Sequence, residues 1–272
     1  PDGNEVKREP VTVSASLGLI NKGVYRHFME KEIYEQPDSI ANTIGSIIDD
    51  DGKISFGISD ESLRNINGII MVAAGTSYFA SLVARYWIEK IAKIPVSCEL
   101  ASEFHYRKPV TSGMNTALAI SQSGESLDTL KAINFAGERY LSTIALVNVV
   151  DSTIARESDF VLTTKAGPEI GVASTKAFTA QLTVLLTLAI AIAEAKKELQ
   201  KEEINEILDQ IKLLPRLIGK ALDTFDIVRP IANELKSVKS ALFLGRGHLF
   251  PIALEGALKL KEVSYIHAEG FA

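Results

Sequence analysis

Cysteine is almost absent from this sequence, which has one, Cys98, among 272 residues. A single cysteine excludes an internal disulfide and a cysteine-rich zinc site, and it is typical of a protein from the reducing cytoplasm. Histidine is also scarce, and no histidine stands at metal-ligand spacing from an acidic residue or the cysteine. We therefore expect no metal and no cofactor. The four histidines are His27, His105, His248 and His267.

An excess of basic residues is lacking as well. Lysine and arginine number 29 against 34 aspartates and glutamates, a net charge of -5. No basic stripe is present to follow a nucleic acid backbone, so we expect no nucleic acid partner. An anionic ligand would have to be held by local backbone dipoles and hydroxyl groups.

Long hydrophobic runs are missing too. The longest, residues 182–193, is too short to cross a bilayer and is interrupted by Thr183 and Thr187. It predicts a core helix and no membrane partner.

What the sequence does contain is a regular alternation of apolar runs and helical patterns. Short apolar runs occur at residues 69–73, 116–120, 143–150 and 160–163, and each is followed by a turn and a helical pattern. Apolar strands separated by helices favour a parallel sheet covered on both faces. The predicted fold class is therefore α/β, with three layers in which helices flank a parallel sheet.

Small hydroxyl residues crowd the loop after the second run. In the string SQSGES, residues 121–126, hydroxyl groups can donate to phosphate oxygens and Gly124 allows close backbone approach. The polar candidates are Ser121, Gln122, Ser123 and Ser126. The alternative is an ordinary capping turn with Ser123 as N-cap.

Two further loops carry hydroxyl groups where strands end. Thr76 and Ser77 follow the first run, and the string GVASTK, residues 171–176, precedes the apolar helix with Ser174 or Thr175 as its cap. Such loops meet at one edge of a parallel sheet, where ligands bind. The sequence has no G-x-G-x-x-G motif or Walker lysine, so a sugar phosphate fits better than a dinucleotide.

The chain also repeats itself. Residues 69–91 and 240–263 both show an apolar strand, a glycine turn and a helix, and ELASEF at 99–104 is echoed by IHAEGF at 266–271. Two charged amphipathic helices, predicted to be divided at Pro215, lie between the copies. The second copy is expected to stop after one strand and one helix, which predicts a truncated domain.

Three charged residues of the last predicted helix share one face. Glu255, Lys259 and Glu262 are spaced i, i+4 and i+7, just beyond the Gly245 turn. This spacing is also that of a solvated ion pair. At the ligand-binding end of a sheet, however, a glutamate could move a proton between neighbouring carbons of a sugar.

Several long strings resemble one enzyme family. GTSYFA, SQSGESLDTL, EIGVASTKAFTAQLTVLL and ALEGALKLKE, among others from about residue 22 onward, are similar to the isomerase half of the glutamine:fructose-6-phosphate amidotransferases, the glucosamine-6-phosphate synthases. The resemblance implies tandem sugar isomerase (SIS) domains. It also implies conversion of fructose 6-phosphate and glutamine to glucosamine 6-phosphate in hexosamine biosynthesis.

The resemblance also implies domain boundaries and partners. We expect an interdomain linker at 1–20, a first SIS domain at 21–197, a helical connection at 198–236 and the truncated start of a second SIS domain at 237–272. A glutaminase domain is expected upstream, and a ring-opening histidine and a Schiff-base lysine downstream. The family implies a homo-oligomer, expected to be a dimer.

Residue roles follow from the same resemblance. It implies phosphate binding by the 121–126 loop with Thr76 and Ser77 alongside, and sugar contacts from Val172 and Ser174. Glu262 is implied to be the base for proton transfer between C1 and C2. Lys259 would assist ring opening, and Glu255 would support the site.

Two other functions stay open. SIS domains also serve as sugar-phosphate sensors attached to DNA-binding segments, but no helix-turn-helix or basic segment appears here. A SIS deglycase or deaminase acting on a related amino sugar could use the same phosphate loop.

Overall fold

The computed structural model describes residues 21–110, 113–139 and 142–272, so the predicted linker at 1–20 lies outside the described residues. The strands are β1 (Ile69–Ala73), β2 (Val96–Leu100), β3 (Thr116–Ser121), β4 (Ser142–Val147), β5 (Phe160–Thr163), β6 (Ser240–Leu244) and β7 (His267–Phe271). The helices before β5 are α1 (Phe28–Tyr34), α2 (Gln36–Ile47), α3 (Asp60–Arg64), α4 (Gly75–Ile91), α5 (Ala101–Arg107), α6 (Leu127–Gly137) and α7 (Thr153–Arg156). The helices after it are α8 (Lys176–Lys196), α9 (Lys201–Leu222), α10 (Phe225–Glu234) and α11 (Leu249–Ser264).

Five parallel strands form the main sheet, in the order β2-β1-β3-β4-β5. Ile69 of β1 is in register with Val96 of β2 on one side and with Thr116 of β3 on the other. The chain thus leaves β1 toward β2 and then crosses back to β3, which makes the gap between β1 and β3 the topological switch point. The predicted parallel α/β fold is confirmed.

Alternating residues of the strands face opposite layers. Met71, Leu118 and Leu146 belong to a buried cluster with α4 and α8. Val72 and Ala119 point the other way, into a second cluster built with α5, α6 and α7. Both faces are therefore covered, as continuous apolar strands require.

Helix α8 is the core helix expected around residues 182–193, but it is longer than the apolar run. Its 21 residues make it the one helix among the described residues that is long and apolar enough to cross a membrane. Of its most apolar window, 78% is buried inside the fold. The helix is apolar on all sides because it packs between the sheet and neighbouring helices.

The second unit repeats the first. Strands β6 and β7 pair in parallel, with Ser240 opposite His267, and α11 connects them and packs against α4. The order strand, helix, strand matches that of β1, α4 and β2. The expectation of one strand and one helix was wrong, because the echo at 266–271 forms β7.

Helices α9 and α10 join the two units. Ile204, Leu208 and Ile211 of α9 are buried, and this helix packs on α2. Pro215 lies inside α9, so the prediction that it divides the two helices was wrong. The break falls instead at Asp223 and Thr224.

Candidate functional site

A polar cavity of about 230 Å³ opens at the switch point between β1 and β3. Every predicted site residue except Glu255 lines it. The lining consists of Ala74, Thr76, Ser77, Ile120, Ser121, Gln122, Ser123, Ser126, Thr129, Val172, Ser174, Lys259 and Glu262. The three hydroxyl-bearing loops thus converge, and α11 of the second unit closes one side.

The 121–126 loop is held by its own hydroxyl groups. Oγ of Ser121 accepts a hydrogen bond from the Gly124 N–H at 3.1 Å, and Oγ of Ser123 accepts one from the Glu125 N–H at 3.2 Å. Each hydroxyl uses a lone pair in this way and keeps its hydrogen for donation to a ligand.

The capping alternative does not describe this loop. The N-cap of α6 is Ser126, not Ser123, and the Ser126 side chain makes no capping hydrogen bond. Its hydroxyl therefore remains available at the cavity.

Gly124 is required by packing within the protein. Its φ is +66°, and a Cβ added there would lie 2.0 Å from Oγ of Ser152. Gly124 therefore allows the 121–126 loop to pack closely against the loop before α7. That contact brings the 121–126 loop and the loop after β4 together.

Two helices begin at the cavity and contribute positive dipole ends. Helix α4 starts at Gly75 and α6 at Leu127, and the N–H groups of a first helical turn have no partner within the helix. Ser77 lies in the first turn of α4, and its Oγ accepts from Nε2 of Gln181 at 3.0 Å, which leaves its hydrogen for donation. This arrangement suits a phosphate group without any nearby arginine.

The loop before α8 is organised by Glu169. Its Oε1 accepts hydrogen bonds from the N–H groups of Thr175, at 2.8 Å, and Ala177, at 3.2 Å. Thr175 occupies the N-cap position, but its side chain makes no capping hydrogen bond. The prediction that a hydroxyl group of Ser174 or Thr175 caps this helix was therefore wrong. The carboxylate caps the helix in their place.

Glu169 also orients the hydroxyl of Ser174. That hydroxyl donates to Oε2 of Glu169 at 2.9 Å, so it presents lone pairs to the cavity and can accept from a sugar hydroxyl. Val172, two residues earlier, is 98% exposed at the cavity wall.

The charged face of α11 meets α4 across the cavity. Nζ of Lys259 lies 3.4 Å from Oε1 of Glu255 and 2.7 Å from Oε2 of Glu262, and it donates to Oγ1 of Thr76 at 3.0 Å. Thr76 in turn donates to Oε1 of Glu255 at 3.0 Å. The trio is therefore a network between two helices rather than a solvated ion pair.

Within this network Glu255 and Glu262 differ in environment. Glu255 is buried, and burial raises the pKa of its carboxyl group above the usual range, although Lys259 and Thr76 act in the opposite direction. The side chain of Glu262 is 33% exposed and lines the cavity. Glu262 is thus the carboxylate that a ligand can reach.

The described residues hold no group of three or more histidine, cysteine, aspartate or glutamate side chains placed to bind a metal ion. None of the four histidines is among the residues that line the cavity. The chemistry of this site is that of hydroxyls, amides, one lysine and carboxylates.

Some residues of the site were missed in the sequence. Ala74, Ile120 and Thr129 line the cavity, and Thr129, one turn after Ser126 on α6, could have been found from helical spacing. Nothing in the sequence around Glu169 marked it as a residue of the site.

Comparison with known proteins places the chain in a family. A model of the SIS domain matches residues 62–191. A solved structure, the C-terminal domain of glucosamine-fructose-6-phosphate aminotransferase from Francisella tularensis, is 44% identical, with a TM-score of 0.88 over 92% of this chain and 71% of that one. The chain belongs to the glutamine–fructose-6-phosphate aminotransferase family.

Other members and neighbours agree in fold. The glutamine–fructose-6-phosphate aminotransferase [isomerizing] of Bradyrhizobium diazoefficiens is 48% identical over 273 aligned residues, which cover 100% of this chain and 45% of the relative. The chain thus spans less than half the length of this family member. A glucosamine-6-phosphate deaminase structure from Thermotoga maritima is 25% identical with a TM-score of 0.67, over 90% of this chain and 70% of that one.

Proposed function

We propose that this chain provides the sugar-phosphate site of an isomerising glutamine–fructose-6-phosphate aminotransferase. The substrate would be fructose 6-phosphate and the product glucosamine 6-phosphate, with nitrogen derived from glutamine. The observation that supports this most is the meeting, in one cavity, of a hydroxyl loop at two helix N-termini with the Lys259–Glu262 pair of α11.

The phosphate would bind at the β3 end of the cavity. Ser121, Ser123 and Ser126 can each donate a hydroxyl hydrogen, and the first turns of α4 and α6 add backbone N–H groups. Ser77 and Gln122 would complete this neutral cradle, and Thr76 would link it to α11.

The sugar would extend from there toward α11 and the loop before α8. Val172 would pack against it, and Ser174 would accept from one of its hydroxyl groups. Glu262, the exposed carboxylate, would carry a proton between C1 and C2, which interconverts ketose and aldose forms of the sugar skeleton. Lys259 would contact the substrate's hydroxyl groups and assist ring opening, and Glu255 would hold Lys259 and Thr76 in place.

We also propose the organisation of the chain. Residues 21–197 would form the first SIS domain, 198–236 a helical connection and 237–272 the beginning of a second SIS domain. Support comes from the repeated strand–helix–strand unit and from the greater length of the family members. A glutaminase domain upstream, a homodimer and a cytoplasmic location belong to the same proposal.

One alternative has a specific observation in its favour. The Thermotoga maritima structure bears the name of a glucosamine-6-phosphate deaminase and shares the fold with 25% identity. A deaminase would release ammonia from glucosamine 6-phosphate without glutamine.

The test is an assay of a protein extended to the full length of its relatives. With fructose 6-phosphate and glutamine, we expect glucosamine 6-phosphate and glutamate in equal amounts. Ammonia release from glucosamine 6-phosphate, with no product formed from glutamine, would support the deaminase. Titration of each hexose phosphate followed by ³¹P NMR should show a shifted phosphate resonance for the wild-type protein, and no shift would argue against both functions.

A further inference from the structure

A buried carboxylate outside the cavity holds one of its walls. Glu32 of α1 is 2% exposed, and its Oε1 accepts hydrogen bonds from the N–H groups of Ile170, at 2.5 Å, and Gly171, at 3.0 Å. Oε2 lies 3.1 Å from the same Gly171 nitrogen. Burial of a carboxylate is unfavourable unless hydrogen bonds compensate, and bonds from N–H groups to a charged acceptor are among the stronger ones.

Gly171 fits closely against this carboxylate. A Cβ added to Gly171 would lie 2.5 Å from Oε2 of Glu32 and 3.3 Å from the backbone of Met29. The loop and α1 are therefore in direct backbone contact, which leaves the loop little room to move toward α1.

The other end of the same loop is bound by the residue that follows α1. Glu35, three residues after Glu32, accepts a hydrogen bond from Nζ of Lys176 at 2.7 Å, and Lys176 is 3% exposed. Two carboxylates, Glu32 within α1 and Glu35 directly after it, thus hold residues 170–176 at both ends. Between these anchors lie Val172 and Ser174, which face the cavity.

We infer that Glu32 is a positioning residue for the sugar-binding wall of the site, a role that rests on the function proposed above. The two N–H groups that Glu32 binds belong to the residues directly before Val172, so Glu32 fixes where Val172 stands, while Glu169 orients Ser174. Glu32 makes no hydrogen bond to the 121–126 loop among the described residues, so its influence should be confined to the sugar end of the ligand.

The inference is tested by measuring the binding of a sugar phosphate and of inorganic phosphate separately. In the protein used for the assay above, Glu32→Ala should weaken fructose 6-phosphate binding at least about tenfold while leaving the affinity for inorganic phosphate unchanged. Glu32→Gln keeps one acceptor oxygen and should recover part of the loss. Hydrogen exchange should accelerate at the amides of Ile170 and Gly171 in the alanine variant, with no change at residues 121–126.

A matched control is Glu30→Ala. Glu30 lies on the same helix, but within the described part of the chain its carboxylate accepts only from the Arg26 N–H, so this variant should bind both ligands like the wild type. Equal loss of sugar phosphate and inorganic phosphate binding in Glu32→Ala, or no loss of either, would overturn the inference. A wild-type protein that binds no hexose phosphate would instead refute the proposed function, and the exchange measurement would still report whether Glu32 holds the loop.

Discussion

Nζ of Lys259 lies 2.7 Å from Oε2 of Glu262, one turn further along α11, at the edge of the cavity. The ion pair holds this carboxylate, the group proposed to accept a proton, in one orientation. Lys259 is itself held by Thr76 from the opposite helix, so the carboxylate is oriented from across the cavity. Glu262 is thus both accessible to a ligand and held in position, and proton transfer on a bound sugar requires both.

Glu262→Gln removes that base with little change in shape. In the full-length assay we expect kcat for glucosamine 6-phosphate formation to fall by about 10²- to 10⁴-fold, the contribution usual for a positioned acid–base group. Binding of fructose 6-phosphate, followed by ³¹P NMR, should stay near the wild-type value. Retention of most of the activity would reject Glu262 as the base.

Ser126→Ala tests the phosphate cradle. A hydrogen bond to a charged group contributes about 1.5–3 kcal/mol, so KM should rise roughly 10- to 100-fold with kcat nearly unchanged. Thermal stability should be unchanged too, because the Ser126 side chain caps nothing. A fall in kcat without a rise in KM would contradict the proposed role.

Ser123→Ala should raise KM in the same way, but with a small loss of stability because Ser123 also accepts from the Glu125 N–H. The control for both serine variants is Ser46→Ala, because the Ser46 hydroxyl donates to the Thr43 carbonyl within α2, away from the cavity.

The strands buried on both faces were the most predictable part of this fold. The apolar run at 69–73 coincides with β1 and the run at 116–120 covers all of β3 except Ser121, because such strands must be apolar along almost their whole length. Strand β2 was missed because its sequence, VSCEL, mixes polar with apolar residues, and only Val96 of the five is buried. The other edge strand, β5, was predicted because three of its four residues, Phe160, Val161 and Leu162, are apolar.

The cavity's hydroxyl residues were predictable for a similar reason. Parallel strands bring their carboxyl ends to one edge, so the loops after β1 and β3 had to meet. The carboxylates that shape the site were not predictable. Glu32 contacts Gly171, which is 139 residues away in sequence, and no local pattern marks a helical glutamate whose partners are distant backbone amides.

Gly124→Ala should be costly for both conformational and steric reasons. The positive φ costs an alanine about 1–2 kcal/mol, and the collision with Ser152 adds about 1–3 kcal/mol, so the free energy of unfolding should fall by roughly 2–5 kcal/mol. Denaturant unfolding would measure this loss.

Gly52→Ala is the matched control, since Gly52 has a φ of +80° with nothing within 4 Å of an added Cβ, and it should show the conformational cost alone. The double variant Gly124→Ala with Ser152→Gly should recover the steric part. If the two single glycine variants lost equal stability, the steric contact between the added Cβ and Ser152 would make no contribution to the loss.

Cys98 offers a pH-dependent test that is independent of the site. Burial raises the pKa of its thiol to about 11, although the side chain of Ser81 partly offsets this effect. Only the thiolate reacts with alkylating agents, so at pH 8 the native protein should react at least roughly 100-fold more slowly than an ordinary cysteine. Because the native pKa lies above the assay range, the rate should rise tenfold with each pH unit from 7 to 10.

Iodoacetamide labelling followed by mass spectrometry would measure the rate of Cys98 alkylation, with the protein in denaturant as the unburied reference. A plateau in the native rate near pH 9 would show that the thiol ionises as it does in water and that its burial does not suppress the charged form.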